Sequence, residues 1–417
     1  MSIITNLTRA WLTRSTKPFV FKNEYDRELP YFDCDNLGLY IHIPFCQSIC
    51  NFCPYCKTKY EKTLCDRYID ALIKEIHLVG ETQSQKKTVT SLYFGGGTPA
   101  LAADRIKEII DTCDKYFKIT EGIGIELHPG NVTEPVLQKI KSSGITKISI
   151  GIQSFQEKYQ TVLGRKPINV DRMFTALSNV HFETVSMDFI FALPGQTFED
   201  LKSDIDTAFS IGANNVAIYP FIDFTFTKSN VKSLPKKEKR KLLDEITGYC
   251  LDKGYKRNSI WTFSNADNAK YSSMTRDNFL GFGCSATTLL KDQFKINTFS
   301  VEEYCNRIES HTLPTSLTIR FTTRQRMIYY LFWTAYSTQV NEKDFVKFFG
   351  IPLKKAYGFE ITIAKLLGFI TEENGICQMT LKGAFYYHYY ENFYTLSYID
   401  KMWGIMRQEA FPEKIEL

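Results

Sequence analysis

Four cysteines lie within eleven residues of one another, directly after an apolar stretch of the chain. They are Cys46, Cys50, Cys53 and Cys56, and the chain holds 11 cysteines among 417 residues. The spacing is C-x3-C-x2-C, with one further cysteine three residues later. Because thiolates are soft ligands that bind transition metals and iron–sulfur clusters, this loop is predicted to be a metal centre.

Different kinds of site are compatible with this spacing. Three or four thiolates on one short loop favour a compact iron–sulfur cluster, and with only three thiolates the fourth iron keeps an open position. A structural zinc site usually joins two separated pairs of ligands, and no second pair of that kind follows in the sequence. A disulfide is disfavoured by the crowding of the thiols and by a chain too long for a disulfide scaffold. Zinc and a metal-free loop stay open as alternatives.

The elements that must position this loop alternate between strand-like and helix-like patterns. Strands are predicted over 37–43, 89–95, 122–128, 146–152, 184–193 and 214–221, and helices over 67–80, 104–117, 134–144 and 198–212. This alternation predicts an α/β fold with parallel βαβ units, and six such units predict a partial (β/α)6 barrel. In barrels the functional residues lie at the C-terminal ends of the strands.

The pattern changes after about residue 290, where short helices precede a hairpin-like segment that resembles a winged helix. We therefore predict an N-terminal extension (1–36), a barrel (37–290) and a smaller C-terminal domain (291–417). The aromatic tail over 383–403 is expected to form a domain interface or a wall of the substrate pocket. His388 within it is expected to be a packing or surface residue.

Composition excludes some classes of protein. A net charge of +5 does not support a dedicated nucleic-acid binder. No apolar run reaches about 18 residues, so no membrane span is expected. No apolar signal sequence is evident, and a cytoplasmic location is expected. Residues 1–23 contain basic residues and no acid, which also fits an organellar address or a basic arm lying on the fold.

The segment YIHIPFCQSICNFC resembles the signature of radical S-adenosylmethionine (SAM) enzymes, and specifically of their oxygen-independent coproporphyrinogen III oxidase-like (HemN-like) subfamily. Further matches cover about residues 35–290 and are LYFGGGTPA, IELHPGN, SIGIQSF, LGRKP, SMDFIFALPGQT and FLGFGCSA. The resemblance implies a partial (β/α)6 TIM-type barrel with a mainly helical, winged-helix-like C-terminal domain.

The resemblance also implies the cofactors. Cys46, Cys50 and Cys53 would hold a 4Fe–4S cluster, and the open iron would bind the amino and carboxylate groups of SAM. An electron donor of the flavodoxin or ferredoxin type would drive cleavage of SAM to methionine and a 5′-deoxyadenosyl radical. Tyr40 and Cys56 are the further residues that we expect to act in catalysis.

Eight residues are implied to bind SAM. Gly95, Gly96, Gly97 and Thr98 would let the backbone approach its methionine end, and the others are Glu126, Gln153, Arg165 and Asp188. Glu126 would meet the methionyl amine or the ribose, and Gln153 the ribose. Arg165 would pair with the carboxylate. Asp188, expected at the end of the fifth strand, would bind ribose hydroxyls or a second ligand.

Two departures from the family pattern bear on the substrate. Tyr55 stands where the porphyrin oxidases have a fourth cysteine, and the segment 269–283 lacks the histidine of the haem-chaperone motif. We therefore favour carbon-centred radical chemistry on an apolar or conjugated substrate, with methyl or methylene transfer that uses a second SAM. The alternatives are a coproporphyrinogen III oxidase-like enzyme of tetrapyrroles and a non-catalytic haem chaperone.

Overall fold

The computed structural model describes residues 3–24, 29–265 and 277–417. The strands are β1 (Val20–Lys22), β2 (Leu37–Ile43), β3 (Phe45–Cys46), β4 (Thr58–Lys59), β5 (Lys87–Val89), β6 (Leu92–Gly96), β7 (Phe117–Ile119), β8 (Ile123–Leu127), β9 (Lys147–Gln153), β10 (Thr184–Phe191), β11 (Asn215–Pro220), β12 (Lys256–Ser259), β13 (Thr262–Ser264), β14 (Asn278–Phe282), β15 (Thr287–Leu289), β16 (Gln293–Asn297), β17 (Thr315–Arg320), β18 (Gln339–Asn341), β19 (Ile370–Glu373), β20 (Ile376–Met379) and β21 (Lys414–Glu416).

The helices alternate with these strands in the first half of the chain and dominate the second. They are α1 (Ile3–Thr13), α2 (Lys62–Gly80), α3 (Ile106–Tyr116), α4 (Glu134–Ser142), α5 (Glu157–Val162), α6 (Val170–Asn179), α7 (Phe198–Ser210), α8 (Lys236–Asp252), α9 (Val301–Glu309), α10 (Thr323–Tyr336), α11 (Glu342–Phe349), α12 (Leu353–Leu366), α13 (Leu381–Tyr394) and α14 (Asp400–Met406). Short 3-10 turns cover Pro99–Ala102 and Pro129–Asn131, and a π-helical turn at Thr395–Ile399 joins α13 to α14.

Six parallel strands form the barrel part of the fold, in the order β11-β10-β9-β8-β6-β2. These strands are almost wholly buried because helices cover the outer face while the inner face lies inside the partial barrel. Their near-continuous apolar sequences follow from that burial. The α/β fold with a partial (β/α)6 barrel, predicted from the alternation, is confirmed.

The same sheet continues beyond the barrel strands. β14 pairs with β2 in parallel, and β15, β16 and β17 follow as an antiparallel meander. β1 and β21 complete the far edge, so segments from near both ends of the chain join one sheet. Strands on both sides of residue 290 therefore belong to a single sheet, and the division at 36 and 290 stays a prediction.

The C-terminal part contains a winged-helix-like unit. Helices α10, α11 and α12 pack with a three-stranded antiparallel sheet in the order β18-β20-β19. The hairpin between β19 and β20 turns at Asn374 and Gly375, which both have positive φ. This is the asparagine–glycine turn that favours a two-residue hairpin.

The sequence did not predict two helices, α5 and α6, which lie between β9 and β10. Only six residues long, α5 is too short for a periodic pattern. The longer α6 is capped at its N-terminus by Asn169, whose side chain accepts a hydrogen bond from the backbone amide of Arg172. Helix α2 also begins at Lys62, five residues before its predicted start. Helix termini are where sequence patterns are weakest.

Candidate functional site

The cysteine loop follows the C-terminal end of β2. Cys46, Cys50 and Cys53 are half-buried, carry free thiols and line one cavity of about 1070 Å³. Burial raises the pKa of Cys46 to about 11, and the neighbouring charges of Cys53 and Cys50 add to this rise. The three thiols are therefore close enough to influence one another, as shared ligands of one metal group must be.

Contacts from outside the loop hold its backbone. The Thr58 amide donates to the carbonyl of Pro44 at 2.7 Å, which closes the loop at its base. The side chain of Lys57 donates to the carbonyl of Cys53. From the C-terminal end of α14, Arg407 reaches back to donate to the carbonyl of Pro54. These contacts tie the loop to a part of the chain about 350 residues away.

The glycine turn after β6 packs directly against the cysteine loop. The Gly97 amide donates to Ile43 at 2.9 Å, and the Thr98 amide donates to Phe45 at 2.7 Å. A Cβ at Gly97 would lie 2.5 Å from the Phe45 carbonyl oxygen. Gly96 has a φ of +121°, a conformation that favours glycine. The missing side chains thus make room for the cysteine loop as well as for a ligand.

Glu126 lies at the penultimate position of β8 and accepts a hydrogen bond from the Gly96 amide at 3.1 Å. Gly95 lies beneath it, where a Cβ would meet both Tyr40 and Glu126. Burial raises the pKa of Glu126 to about 7, and the nearby carboxylate of Asp188 adds to the rise. Such a carboxylate becomes charged readily when a cation binds beside it.

Asp188 lies three residues before the end of β10, rather than at its end as the sequence predicted. The register of β10 against β9 shifts between Met187 and Phe189, so Asp188 lies at an irregularity in the pairing of the two strands. The Ser149 hydroxyl donates to Asp188 Oδ2 at 2.8 Å, whereas the buried Oδ1 has no hydrogen-bond partner in the described part of the chain. Burial raises the pKa of this carboxyl to about 7.

Gln153 and Arg165 lie on the same cavity. Gln153 ends β9 with a φ of 71°, which is unusual for a residue with a side chain. Arg165 donates to the carbonyls of Gly151 at 2.7 Å and Ile152 at 3.1 Å. Its positive charge counteracts the effect of burial on the pKa of Cys50. Arg165 therefore lies between the end of β9 and the cysteine loop.

Tyr40 faces the cavity from β2, where its ring stacks on Tyr93 with centroids 6.4 Å apart. Burial lowers the pKa of His42 to about 4, so its imidazole is neutral at pH 7. His42 Nε2 lies 3.0 Å from the Cys56 carbonyl and therefore carries the proton. The other ring nitrogen, Nδ1, accepts from the Tyr40 hydroxyl at 3.0 Å.

Cys56 differs from the other three cysteines of the loop because it is buried. Its thiol donates to the Phe299 carbonyl at 3.1 Å, and a hydrogen bond from the Cys284 thiol lowers the pKa of Cys56. Potential ligand atoms of His42, Cys56 and Cys284 lie within 4.8 Å of one another. Both ring nitrogens of His42 are already hydrogen-bonded, so this trio is satisfied without a metal. A catalytic role for Cys56 stays a prediction.

An aromatic wall completes the far side of the cavity. It is formed by side chains of β11, the turn between β12 and β13, α10, α13 and the segment that follows α13. Among them are Tyr219, Trp261, Phe332, Trp333, Tyr336, Tyr387, Tyr390, Tyr394 and Trp403. Several of these rings contact one another, with centroid separations of 5.0–6.1 Å. His388 is buried and packs against Trp261. The aromatic tail thus contributes to the cavity wall.

The cysteine loop lies within a segment that matches a known protein family. The radical SAM superfamily model matches residues 40–208. The heme chaperone HemW of Bacillus subtilis is 27% identical over 333 residues, which cover 75% of this chain and 87% of that protein. The oxygen-independent coproporphyrinogen III oxidase of Synechocystis is 25% identical over 306 residues, which cover 67% of this chain and 66% of that protein.

A solved structure shares the fold. The HemN coproporphyrinogen III oxidase of Escherichia coli aligns with a TM-score of 0.74 at 20% identity, over 89% of this chain and 93% of that one. These matches identify a radical SAM domain at residues 40–208 and support a HemN-like subfamily for the chain. Members of this superfamily bind a 4Fe–4S cluster and SAM, as the sequence motif implied.

The residues of this radical SAM protein fit both cofactors. Cys46, Cys50 and Cys53 present free thiols to one cavity, and three thiolates leave one iron of a cluster open. Asp188 Oδ1 is a buried acceptor without a donor, which a ribose hydroxyl or an amine would satisfy. We propose that the eight residues implied by the motifs bind SAM, because they line this cavity or, in the case of Gly95, lie directly beneath it.

Sequence reasoning missed some residues of the radical SAM site. Ser149, which donates to Asp188, is a polar residue within the apolar run of β9, and that interruption was a readable signal. Arg407 gives no local signal because its contact is with a distant loop. The segment 269–276, part of the region that lacks the chaperone histidine, lies outside the described residues. Among the described residues, none of the helices has the length and apolar composition that crossing a bilayer requires.

We expect the affinity for SAM to rise with pH. Glu126 and Asp188 have pKa values raised to about 7, so the free protein must lose a proton from each before both carboxylates can accept hydrogen bonds from the amine and hydroxyl groups of SAM. If each carboxyl is ionised in the complex, the Kd should fall about tenfold per carboxyl between about pH 6 and about pH 8. Equilibrium dialysis of the reconstituted protein with SAM measures this dependence.

Two variants separate this effect from the titration of SAM itself, whose amino group ionises equally in every case. Asp188→Asn should flatten the pH profile by about tenfold over the same range, since one proton no longer has to leave. The matched control is Glu75→Gln, because the pKa of Glu75 is also raised to about 7 but its carboxyl lies outside the cavity. An unchanged profile in Asp188→Asn would contradict the assignment.

Proposed function

We propose that this protein is a radical SAM enzyme that transfers a methyl or methylene group to an apolar, conjugated substrate with the help of a second SAM. The observation that carries the proposal is the single cavity that runs from the three cysteines to the aromatic wall. Its volume of about 1070 Å³ lies just above the range of ~300–1,000 Å³ that is usual for the site of one ligand. It therefore has room for more than one molecule.

The chain's own residues would bind and orient the reactants. When bound, the cluster would supply the electron that cleaves SAM to methionine and a 5′-deoxyadenosyl radical. Glu126 and Asp188 would hold the amine and hydroxyl groups of SAM, and Arg165 its carboxylate. The aromatic wall would exclude water and keep an apolar substrate near the ribose. Tyr40, hydrogen-bonded to neutral His42, would hold its hydroxyl in a fixed direction at the cavity surface.

The charges of the cavity support an apolar substrate. Among the described residues that line it, the cationic side chains are Arg9, Lys57 and Arg165. Arg165 is assigned above to the carboxylate of SAM. The other two donate to backbone carbonyls, Arg9 to those of Thr16 and Lys17 and Lys57 to those of Cys53 and Tyr55. A substrate with several carboxylates would need cations that are free to pair with it. An uncharged substrate that packs against aromatic rings needs no free cation.

A tetrapyrrole is the second candidate substrate. The curated relatives named above are a heme chaperone and a coproporphyrinogen III oxidase, and a flat conjugated ring would suit the aromatic wall. The cavity volume is compatible with this ligand. Its carboxylates are not favoured, because the cationic side chains of the cavity already have other partners. In this reading the protein would act as an oxidase or carry haem without catalysis.

The products of SAM distinguish these functions. The anaerobically reconstituted, reduced protein should release 5′-deoxyadenosine, and with its true substrate it should also release S-adenosylhomocysteine in comparable amounts. 5′-Deoxyadenosine alone, formed with coproporphyrinogen, would favour the oxidase. Absence of both products from protein that holds about four irons per chain, together with a haem absorption shift that survives Cys50→Ala, would favour the chaperone and reject the transferase.

A further inference from the structure

Helix α1 exposes one stripe of apolar residues to solvent. Ile3, Leu7 and Trp11 follow one another at four-residue intervals and have exposed fractions of 78%, 66% and 51%. The side that faces the protein instead buries Thr5 and Thr13. An amphipathic helix of a globular protein normally turns its apolar stripe toward the core. Helix α1 departs from this pattern, because its apolar stripe of Ile3, Leu7 and Trp11 faces solvent while Leu12 faces the cavity.

Helix α12 extends this exposed apolar surface. Phe359, Ile363 and Leu366 lie on its outer side, and Leu366 is 82% exposed. Trp11 joins the two helices, since its ring lies 5.8 Å from that of Phe359 and its indole nitrogen donates to Glu360 at 3.0 Å. We call the six residues Ile3, Leu7, Trp11, Phe359, Ile363 and Leu366 the α1–α12 apolar face. Exposed apolar patches of this kind usually mark an interaction site.

The charges around this face have one dominant sign. Residues 3–23 carry four cations and no acid, and α12 carries three lysines against Glu360. Four of these seven cations pair with an acid, namely Arg14 with Glu360, Lys22 with Glu24, and Lys354 and Lys365 with Glu372. Counted with these three acids, the seven cations leave a formal charge of +4, whereas the whole chain has +5. Much of the protein's excess positive charge therefore lies on the segments that carry the apolar face and on their neighbours. This combination matches an anionic partner with an apolar interior.

Both helices also form part of the cavity wall. On their inner sides, α1 contributes Leu12 and Thr13 and α12 contributes Tyr357 and Ile361 to the cavity lining. The seam between them is closed by the ion pair of Arg14 with Glu360 and by the Trp11 contacts. Each helix thus has one side toward the cavity and the opposite side toward solvent.

We propose that the α1–α12 apolar face docks this protein on the surface of an anionic lipid bilayer. An interfacial helix binds by burying apolar side chains at the level of the headgroups, while nearby cations attract anionic lipids. Trp11 is the residue type that prefers this interface. Docking would bring the wall of the cavity to the bilayer, where an apolar substrate dissolves. That last step rests on the proposed function, whereas the docking itself does not.

Vesicle binding tests the proposal. The full-length reconstituted protein is mixed with vesicles of phosphatidylcholine alone or with about 30 mol% phosphatidylglycerol, and the bound fraction is measured by sedimentation without SAM or reductant. We expect binding to the anionic vesicles, weakening as the salt concentration rises from about 0.1 M to about 0.5 M. The double variant Leu7→Ser/Leu366→Ser should bind at least about tenfold more weakly.

The matched control removes two exposed apolar side chains elsewhere. Phe174 on α6 and Leu251 on α8 are 49% and 45% exposed, so Phe174→Ser/Leu251→Ser should bind as the wild type does. Equal weakening in both double variants, or no binding to anionic vesicles by the wild type, overturns the proposal. A dimer of the wild type in light scattering that Leu7→Ser/Leu366→Ser dissociates also overturns it, since a second copy would then cover the face.

Because neither variant touches the cavity lining, thermal unfolding of both should match that of the wild type and confirm that the fold is retained. The release of 5′-deoxyadenosine is a separate measurement. Failure of the vesicle experiment with normal SAM cleavage would reject docking alone, and normal docking without SAM cleavage would reject the proposed function alone.

Discussion

Replacing Cys50 by alanine is expected to abolish the cluster and the cleavage of SAM. Cys50 lies between two other half-buried thiols, and its thiolate is favoured by the charge of Arg165 although burial raises the pKa of the thiol. With two thiolates left, iron should fall from about four per chain to less than about one after anaerobic reconstitution. Iron analysis, the charge-transfer absorption and the yield of 5′-deoxyadenosine measure this loss.

Cys56→Ala is the control within the same loop. Its thiol bonds to Phe299 and Cys284 inside the protein, so the variant should keep about four irons. We expect it to lose about 1–2 kcal/mol of stability, as is usual for truncation of a small buried side chain. If Cys56→Ala lost the iron and Cys50→Ala kept it, the assignment of the three ligands would be wrong.

Gly97→Ala is expected to displace the cysteine loop. The new Cβ would lie 2.5 Å from the Phe45 carbonyl oxygen and 2.8 Å from the Pro44 carbonyl carbon, and backbone atoms cannot rotate away as a side chain can. Relief of this overlap should cost about 1–3 kcal/mol and lower the thermal midpoint by several degrees. The hydrogen bonds from Gly97 and Thr98 to the loop should weaken, and the iron content should fall with them.

Gly248→Ala provides the comparison for Gly97→Ala. Gly248 lies within α8, where a Cβ would meet no atom within 4 Å. Alanine is a better helix former than glycine, so this variant should be neutral or more stable by up to about 1 kcal/mol, with unchanged iron. Equal thermal midpoints and iron contents in the two variants would show that the turn after β6 does not support the loop.

Local patterns in the sequence predicted most of the barrel. Apolar runs such as 37–43 and 184–193 are long enough to identify buried strands, and the observed strands agree within a few residues. The cysteine spacing depends only on residues that are near in sequence, so it was readable as well. The position of Asp188 within β10 could not be read from the sequence. Asp188 lies three residues before the strand end, at a register shift that depends on pairing with the neighbouring strand β9.

Contacts between distant segments decided the rest. The thiols of Cys56 and Cys284 are 228 positions apart in the chain, and only the pairing of β14 with β2 brings them together. The continuation of the sheet past residue 290 to β1 and β21 likewise could not be predicted from the local pattern of apolar residues. Sequence patterns report which side of an element is apolar, but they do not report what covers it.

The sequence by itself determined the kind of protein: a three-cysteine loop after a buried strand, on a partial barrel whose strand ends carry polar residues. It did so because spacing and periodicity are set by neighbours along the chain. Only the tertiary structure decided that Cys56 is buried and hydrogen-bonded to Phe299, that the charge of Asp188 helps to raise the pKa of Glu126, and that α1 turns Ile3, Leu7 and Trp11 to solvent. Burial and charge at each of these places depend on contacts between segments that are far apart in sequence.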